Sequence, residues 1–419
     1  METKFNIVID GIDGSGKSTI SKRLRNKHGM EVKDRGVLTK LTLLHWEEWP
    51  DKIEDTYDFY IILETEPTEA VKRILKREEL ESVKPDKFET ERNLFLFRYR
   101  YRQLASFYGD IHLVDTTGLT IDEVESACEE IIFKKSTNYY IPCVDKISDE
   151  EFEKLPLVIS GESKIIKEYN NRFHIVKYKP TVYSHKMQRA GEVEGTDIER
   201  MKMTKNILDI FSRHLIKHAY WYVGKFILTE YLNNEKDIPP VEVIVKRCFV
   251  GSDKHRYFNM INLKNRFGEY VVKKEKNEYN KLLVRFDYRN PNFHPETGVP
   301  IGDILMCDDL ADEFINVEVA KKSAICIFEC LDKHFSKMNI YFEDVCLMLT
   351  TNGDKLYGEV SQDCGRYKYM KENELADLDK DVWRAGGSTE LVLQKYQKLT
   401  ELVSVYVKTI YNEEKIEFA

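Results

Sequence analysis

Apolar and polar positions follow one rhythm over the first third of the chain and another over the rest. Residues 4–10 form a short apolar run, then come a glycine-rich turn and a predicted helix over 19–27. Residues 58–63 (DFYIIL) are a second apolar run of the kind a buried parallel strand shows. Pro67 suits the first turn of an amphipathic helix over 68–79. Residues 111–115 (IHLVD) read as a third strand, and 120–133 as a helix with Thr120 as its N-cap. This alternation predicts an α/β domain at 1–134, a parallel sheet with helices on both faces. Residues 134–156 (KKSTNYYIPCVDKISDEEFEKLP) keep no period and hold two prolines, which reads as a linker at 135–154. From Leu157 onward consecutive strands (LVISG, SKIIKEY, FHIVKY) precede helices at 316–335 and 389–410, the order of an α+β domain over 155–419.

Composition narrows the class. The 419 residues are 42% apolar and 12% aromatic with a net charge of −8, enough to build cores and too apolar for a disordered or fibrous chain. No apolar run reaches the ~18–20 residues of a bilayer span, and METKFNIVIDG reads as a strand rather than a signal peptide. A soluble, cytoplasmic-type protein with no membrane partner is the expectation. The eight cysteines are scattered and form no CxxC pair, which argues against structural zinc and a disulfide framework. His214 and His218, in RHLIKHAY, have a spacing that would let them share a metal on one helix face, though no third ligand is evident and a structural role is favoured. Cys326 and Cys330 share that spacing on an apolar helix and read as buried core.

Gly11-Ile12-Asp13-Gly14-Ser15-Gly16-Lys17-Ser18 fits GxxxxGK[ST] directly after one strand and before one helix. That context brings backbone N–H groups and a helix N-terminus onto phosphate oxygens, with Lys17 reaching the β/γ-phosphates and Ser18 a Mg²⁺ ion. Gly11, Gly14, Ser15, Gly16, Lys17, Ser18 and Thr19 are the candidate ATP-binding set. GIDGSGKST after an apolar strand resembles thymidylate kinases and related nucleoside-monophosphate kinases, and the resemblance runs through residue 134. It implies that Asp34 lies near Mg²⁺, Arg35 on a phosphate and Asp13 against the acceptor. It also makes Arg73 and Arg77, in DFYIILETEPTEAVKRILKR, lid arginines; a solvated i,i+4 helix face is the competing reading. Only 16 residues separate Lys17 from Asp34, where thymidylate kinases place nucleobase-binding helices.

Residues 155–406 resemble SAICAR synthetase, which uses ATP to join aspartate to a ribonucleotide carboxylate. ISGESKIIKEY, PPVEVIVKRCFVGSDKHR, FSKMNIYFEDVCLML, YGEVSQDCGRY and LDKDVWR follow in family order. The resemblance implies phosphate or substrate contacts from Lys246 (an arginine in the family), Gly251, Ser252, Arg256, Asp344, Arg366, Lys380, Asp381 and Arg384, with Asp363 at a further polar family position. It also exposes departures on the ATP side. Glu162 replaces a lysine, although Lys164 remains; Cys346 and Met348 replace a lysine and a metal-binding glutamate, and Gly358 replaces a metal-binding aspartate. A hard Mg²⁺ ion needs oxygen ligands that thioether and glycine do not offer.

The leading expectation is a phosphotransferase using ATP and Mg²⁺ on a nucleotide or nucleoside-like acceptor, with Lys17, Asp13, Asp34, Arg35, Arg73 and Arg77 catalytic and Ser18 and Asp34 at the metal. The second domain would supply acceptor recognition. One alternative is a SAICAR synthetase-like ligase joining an amino acid to a nucleotide or modified base. Another is a kinase acting on a base within DNA, since residues 246–289 carry 12 Lys+Arg against 5 Asp+Glu with interleaved aromatics. A small-molecule nucleotide is the favoured partner.

Overall fold

Strand β1 (Asn6–Gly11) is followed by α1 (Lys17–His28), β2 (Glu31–Asp34), β3 (Phe59–Glu64), α2 (Pro67–Glu81), α3 (Glu91–Tyr108), β4 (Ile111–Asp115) and α4 (Ile121–Lys134). The structure is a computed structural model and describes residues 5–418 apart from 54–56, 82–83, 87, 185–188, 252–259, 274–276, 290–291, 302–303 and 372–373. The four strands pair in parallel in the order β2-β1-β3-β4. Ile7, Ile9, Ile61 and Leu63 face Ile20, Leu24 and Cys128, whereas Ile62 and Leu113 face Leu104 and Ala105 of α3. Burial on both faces is why these strands read as unbroken apolar runs. Thr120 caps α4 in a reciprocal box with Glu123, as its sequence signals.

Residues 135–154 hold a helical turn (Val144–Lys146) and α5 (Asp149–Lys154), capped by a Ser148–Glu151 box. Phe152 stacks on Phe226 at 4.6 Å, and Asp145 accepts 2.5 Å bonds from the Tyr222 hydroxyl and the Lys225 N–H. Single anchors rather than a repeating face hold this segment, which explains its aperiodic texture.

Next come β5 (Leu157–Ser160), β6 (Lys164–Asn170), β7 (Phe173–Tyr178), α6 (Thr196–Ser212), β8 (Tyr220–Val223) and β9 (Ile227–Glu230), the strands forming an antiparallel sheet ordered β8-β9-β7-β6-β5. A second antiparallel sheet runs through β10 (Val241–Cys248), β11 (Glu278–Tyr288), β12 (Ile340–Leu347), β13 (Gly365–Lys371) and β14 (Glu374–Asp377), ordered β11-β10-β12-β13-β14. Helix α7 (Val317–Ser336) buries Ala324, Phe328 and Leu331 in the same core as Val245 and Phe342, and α8 (Thr389–Phe418) adds Leu399 and Val403.

The two halves share buried structure. Tyr101 and Leu104 of α3 lie in one apolar cluster with Phe173, Ile175, Trp221 and Phe226. The Arg102 guanidinium sits 4.0 Å from the centre of the Trp221 ring, and Arg100 and Arg213 both grip Glu414 near the end of α8. Two expectations are corrected. Helix α6 stops at Ser212 and Leu215 takes φ 57°, so His214 and His218 share no helix face. Cys330 is buried, but Cys326 is exposed.

At the end of β3, buried Glu64 accepts from Arg102 at 2.6 and 2.9 Å and from Arg98 at 3.4 Å. Burial alone would raise its pKa, but the two guanidiniums outweigh it and hold the carboxyl at about 2. Because the folded pKa is depressed, the stabilisation is complete above the unfolded value near 4.5 and is lost as pH falls toward 2. The expected loss is about 3 kcal/mol. Urea midpoints taken from pH 6 downward check it: Glu64→Gln removes this part of the acid slope, and an unchanged slope contradicts the assignment.

Candidate functional site

The chain leaves β1 through α1 to reach β2 on one side, then returns to lay β3 on the other. The crevice between such diverging connections, at the carboxyl end of β1, is where α/β sheets take ligands. Residues 11–18 occupy it. A side chain at Gly14 would place its Cβ 2.7 Å from the Ala70 carbonyl oxygen, so the loop can lie on α2 only without one. Gly16 caps α1 with no side-chain bond and nothing within 4 Å of where its Cβ would be, leaving the helix N-terminus open. The Lys17 ammonium folds back onto the Ile12 carbonyl (2.7 Å) and Asp13 (3.3 Å), and burial lowers its pKa. Ser18 Oγ donates to Asp34 Oδ2 at 2.6 Å, and Arg35 holds Asp13 at 2.7 Å. A serine hydroxyl beside a carboxylate at a helix N-terminus fits a Mg²⁺ ion carried in with phosphates.

Arg73 reaches the same loop. Its guanidinium donates to the Gly14 carbonyl (3.4 Å), Thr116 Oγ1 (3.0 Å) and the Thr116 carbonyl (2.8 Å). Arg77 is not brought there; it is spent on a two-pronged pair with Glu89 at 2.7 and 2.9 Å. Sequence reading missed four supports of the loop: Thr116, Tyr101, Thr39 and Asp10. Thr116 sits behind Ser15, and Tyr101 meets Thr39, whose hydroxyl bonds Asp10. Burial raises the Asp10 pKa, partly offset by bonds from Thr39 and the Gly36 N–H. The only sequence signal for Asp10 is an acid ending an apolar strand.

In the second half, most of the candidate substrate residues meet at β10, β12, β13 and the start of the following helical turn. Asp344 accepts from Lys246 at 2.9 Å and Arg366 at 2.5 Å; Arg366 also bonds Asp381 (3.2 Å), which pairs with Arg384. Burial would raise the Asp344 pKa, but Arg366 and Lys246 hold it at about 2. Lys380 approaches Asp363 at 3.4 Å, and Asp363 also accepts from the Tyr396 hydroxyl at 2.8 Å. Lys246 was expected to offer charge to a phosphate. It is 2% exposed and bonds the Val250 carbonyl at 3.0 Å, so it braces the turn entering Gly251. Ser252 and Arg256 lie outside the described residues, as does part of the basic stretch 246–289. Asp379, behind this cluster, is pushed up to about 7 by burial and by neighbouring Asp381.

The positions that the resemblance marks as altered metal sites in this half are packed against one another. A Cβ at Gly358 would fall 2.3 Å from Met348 Cβ, and the Tyr357 N–H donates to the Met348 carbonyl at 3.0 Å. Met348 therefore occupies the space an aspartate at 358 would need. Burial drives the Cys346 thiol well above its usual pKa, and it lies 3.5 Å from Glu242. This donor set does not fit a hard cation.

A cavity of about 470 Å³ opens between the halves, walled by Phe95, Tyr99 and Arg98 of α3 on one side and by His218, Tyr220 and Lys355 on the other. Its cations are largely paired: Arg98 with Glu66 (2.5 Å), Lys355 with Glu230 (2.7 Å) and Lys217 with Asp354 (3.3 Å). The Tyr99 hydroxyl is buried with no hydrogen-bond partner among the described residues, and burial lowers the His218 pKa to about 3, so that imidazole is neutral. Arg98 also reaches Asp115 at 3.7 Å, and Asp115 precedes Thr116 on the loop floor, so cavity and loop share the carboxyl edge of the sheet.

Residues 157–401 match the family model described as SAICAR synthetase. Among curated proteins, "Bifunctional cordycepin biosynthesis cluster protein 3" of Cordyceps militaris is 27% identical over 339 residues, covering 69% of this chain. The chain spans 37% of that relative's length. The covered share exceeds what residues after Pro156 make up, so the likeness extends some way before Leu157. Solved structures with similar folds include a SAICAR synthetase (Type-2) in complex with ADP, 21% identical over 59% of this chain and 97% of its own, TM-score 0.47. The SAICAR synthetase of Pyrococcus horikoshii OT3 is 20% identical over 58% and 97%, TM-score 0.46. No helix among the described residues is long and apolar enough to cross a membrane.

Proposed function

The chain belongs to the SAICAR synthetase family through residues 157–401, and on that premise we propose that it is an ATP-consuming enzyme acting on a nucleotide-like substrate, with ATP taken at the N-terminal loop. The observation that carries this reading is a contrast. The loop after β1 keeps an open helix N-terminus, Lys17 and a Ser18–Asp34 pair, while Met348 fills the cation position of the family half. Bound ATP with Mg²⁺ supplies the phosphoryl group. The first-turn amides of α1 would hold its phosphates, Lys17, now on the Ile12 carbonyl, would turn to their charge, and Ser18 and Asp34 would hold the metal, while Arg73 ties the loop from Gly14 to Thr116. The acceptor lies in the cavity between the halves. There, paired charges suit a ligand of low net charge, and Phe95, Tyr99 and Tyr220 offer rings to a base.

The second reading is a ligase of the family's own type, and the comparisons favour it. The family match and the joined cluster Lys246–Asp344–Arg366–Asp381 support it; the Met348–Gly358 contact weighs against it. One experiment separates the two. The full chain is incubated with γ-labelled ATP, Mg²⁺ and a panel of nucleosides and nucleoside monophosphates, with and without aspartate. Label transferred to an acceptor without amino acid is the expected result. ATP turnover that requires the amino acid overturns the kinase reading in favour of the ligase.

A further inference from the structure

His214 leaves the end of α6 and meets α7 side-on, its Nε2 2.7 Å from Nε2 of His334. One turn before His334 on the same face stands Cys330, and the three ligand atoms lie within 4.8 Å of one another. A pair at i,i+4 on one helix with a third ligand from a neighbouring element is a common way to build a tetrahedral site. His334 Nδ1 lies 2.8 Å from the Tyr406 hydroxyl of α8. If that nitrogen carries the proton and Tyr406 accepts it, the Nε2 lone pair points at His214, the tautomer a metal requires.

We propose that His214, Cys330 and His334 bind one Zn²⁺-type ion, with Tyr406 as the positioning residue and the fourth coordination place open to water. Thiolate and imidazole donors suit a borderline-soft metal and not Mg²⁺ or Ca²⁺. Entry of the ion parts the two nitrogens from 2.7 Å to roughly 3.3 Å, the span of two ~2.05 Å bonds at a tetrahedral centre. The Cys330 Sγ–H bond breaks, its electron pair goes to the metal and its proton to solvent. Burial first, and then the nearby Arg213, Lys333 and Lys337, disfavour imidazolium at both histidines, whereas burial pushes the Cys330 thiol up to about 12, so the arriving ion itself has to displace that proton. Half-buried His214 gives the ion its way in, while Cys330 and His334 are 8% and 6% exposed. The bound ion would tie α6 to α7, and through Tyr406 to α8, a link independent of either functional reading.

The test is titration of the chelator-treated full chain with Co²⁺, followed by Zn²⁺. One equivalent of Co²⁺ with a thiolate-to-metal charge-transfer band, displaced by Zn²⁺, is expected. His214→Gln, at a half-buried position, abolishes stoichiometric uptake. Cys330→Ser removes the charge-transfer band, and Tyr406→Phe weakens binding by about tenfold. Cys326→Ser, at the exposed cysteine one turn away, leaves uptake and band unchanged. Absence of stoichiometric uptake overturns the proposal, and so does uptake that survives His214→Gln at the same affinity.

Discussion

On the proposed reading, Lys17→Ala should lower phosphoryl transfer from ATP by roughly 100- to 1,000-fold, the usual effect of deleting one preorganised donor from a charge-stabilising site. The side chain is 5% exposed and bonds the Ile12 carbonyl and Asp13, both within its own loop. Asp13 keeps Arg35 when the ammonium is gone, so no buried carboxylate is stranded. Burial already lowers the Lys17 pKa, which means that the folded protein bears a desolvation cost for this charge. The variant therefore keeps or gains thermal stability while losing turnover. That separation distinguishes a catalytic lysine from a structural one. Single-turnover rates and thermal midpoints measured together check it, with Arg77→Ala as a control because Arg77 is committed to Glu89. Activity within about threefold of the parent would remove ATP from this loop.

Much of the N-terminal half was legible because its elements carry local signals. Doubly buried strands gave apolar runs that match β1, β3 and β4 to within two residues, and Thr120 announced the start of α4. The loop was legible for the same reason: its glycines, Lys17 and Ser18 are consecutive, so spacing alone places them. What stayed hidden depends on contacts distant in sequence. Nothing local in DTT says that Thr116 lies behind Ser15, or that Arg73 rather than Arg77 turns toward the loop. The aperiodic stretch before Leu157 hid a capped helix because one phenylalanine, not a stripe, anchors it.

The His214–His218 pairing failed through an unmarked helix end. The sequence RHLIKHAY carries no proline or glycine, yet α6 stops at Ser212 and Leu215 adopts a left-handed backbone. His214 was thereby released to meet His334, 120 positions away, a partner that no spacing rule proposes. The substitutions at 348 and 358 show the opposite case. Each alone looked like loss of a ligand, but together they form a packed contact, a methionine grown into the room a glycine left.

Arg200→Met destabilises the protein by about 3–5 kcal/mol, the cost of breaking a buried ion pair from one side. Arg200 is fully buried and grips Glu359 through two bonds at 2.6 and 2.7 Å. It also bonds the Lys179 carbonyl at 3.0 Å and lies 4.8 Å from the centre of the Tyr178 ring. Without it, the Glu359 carboxylate keeps Ser361 and the field of Lys164, neither of which replaces a two-pronged guanidinium. Glu359 directly follows Gly358, so the pair clamps the Met348–Gly358 contact and the turn toward Asp363 onto α6. Chemical denaturation of the single variant should show the loss. Arg200→Met combined with Glu359→Met should recover most of it, because two apolar side chains strand no charge. If the double variant is as unstable as the single one, the clamp acts through its hydrogen-bond geometry rather than through charge compensation. A single variant within about 1 kcal/mol of the parent would show that the pair is not holding the family half together at all.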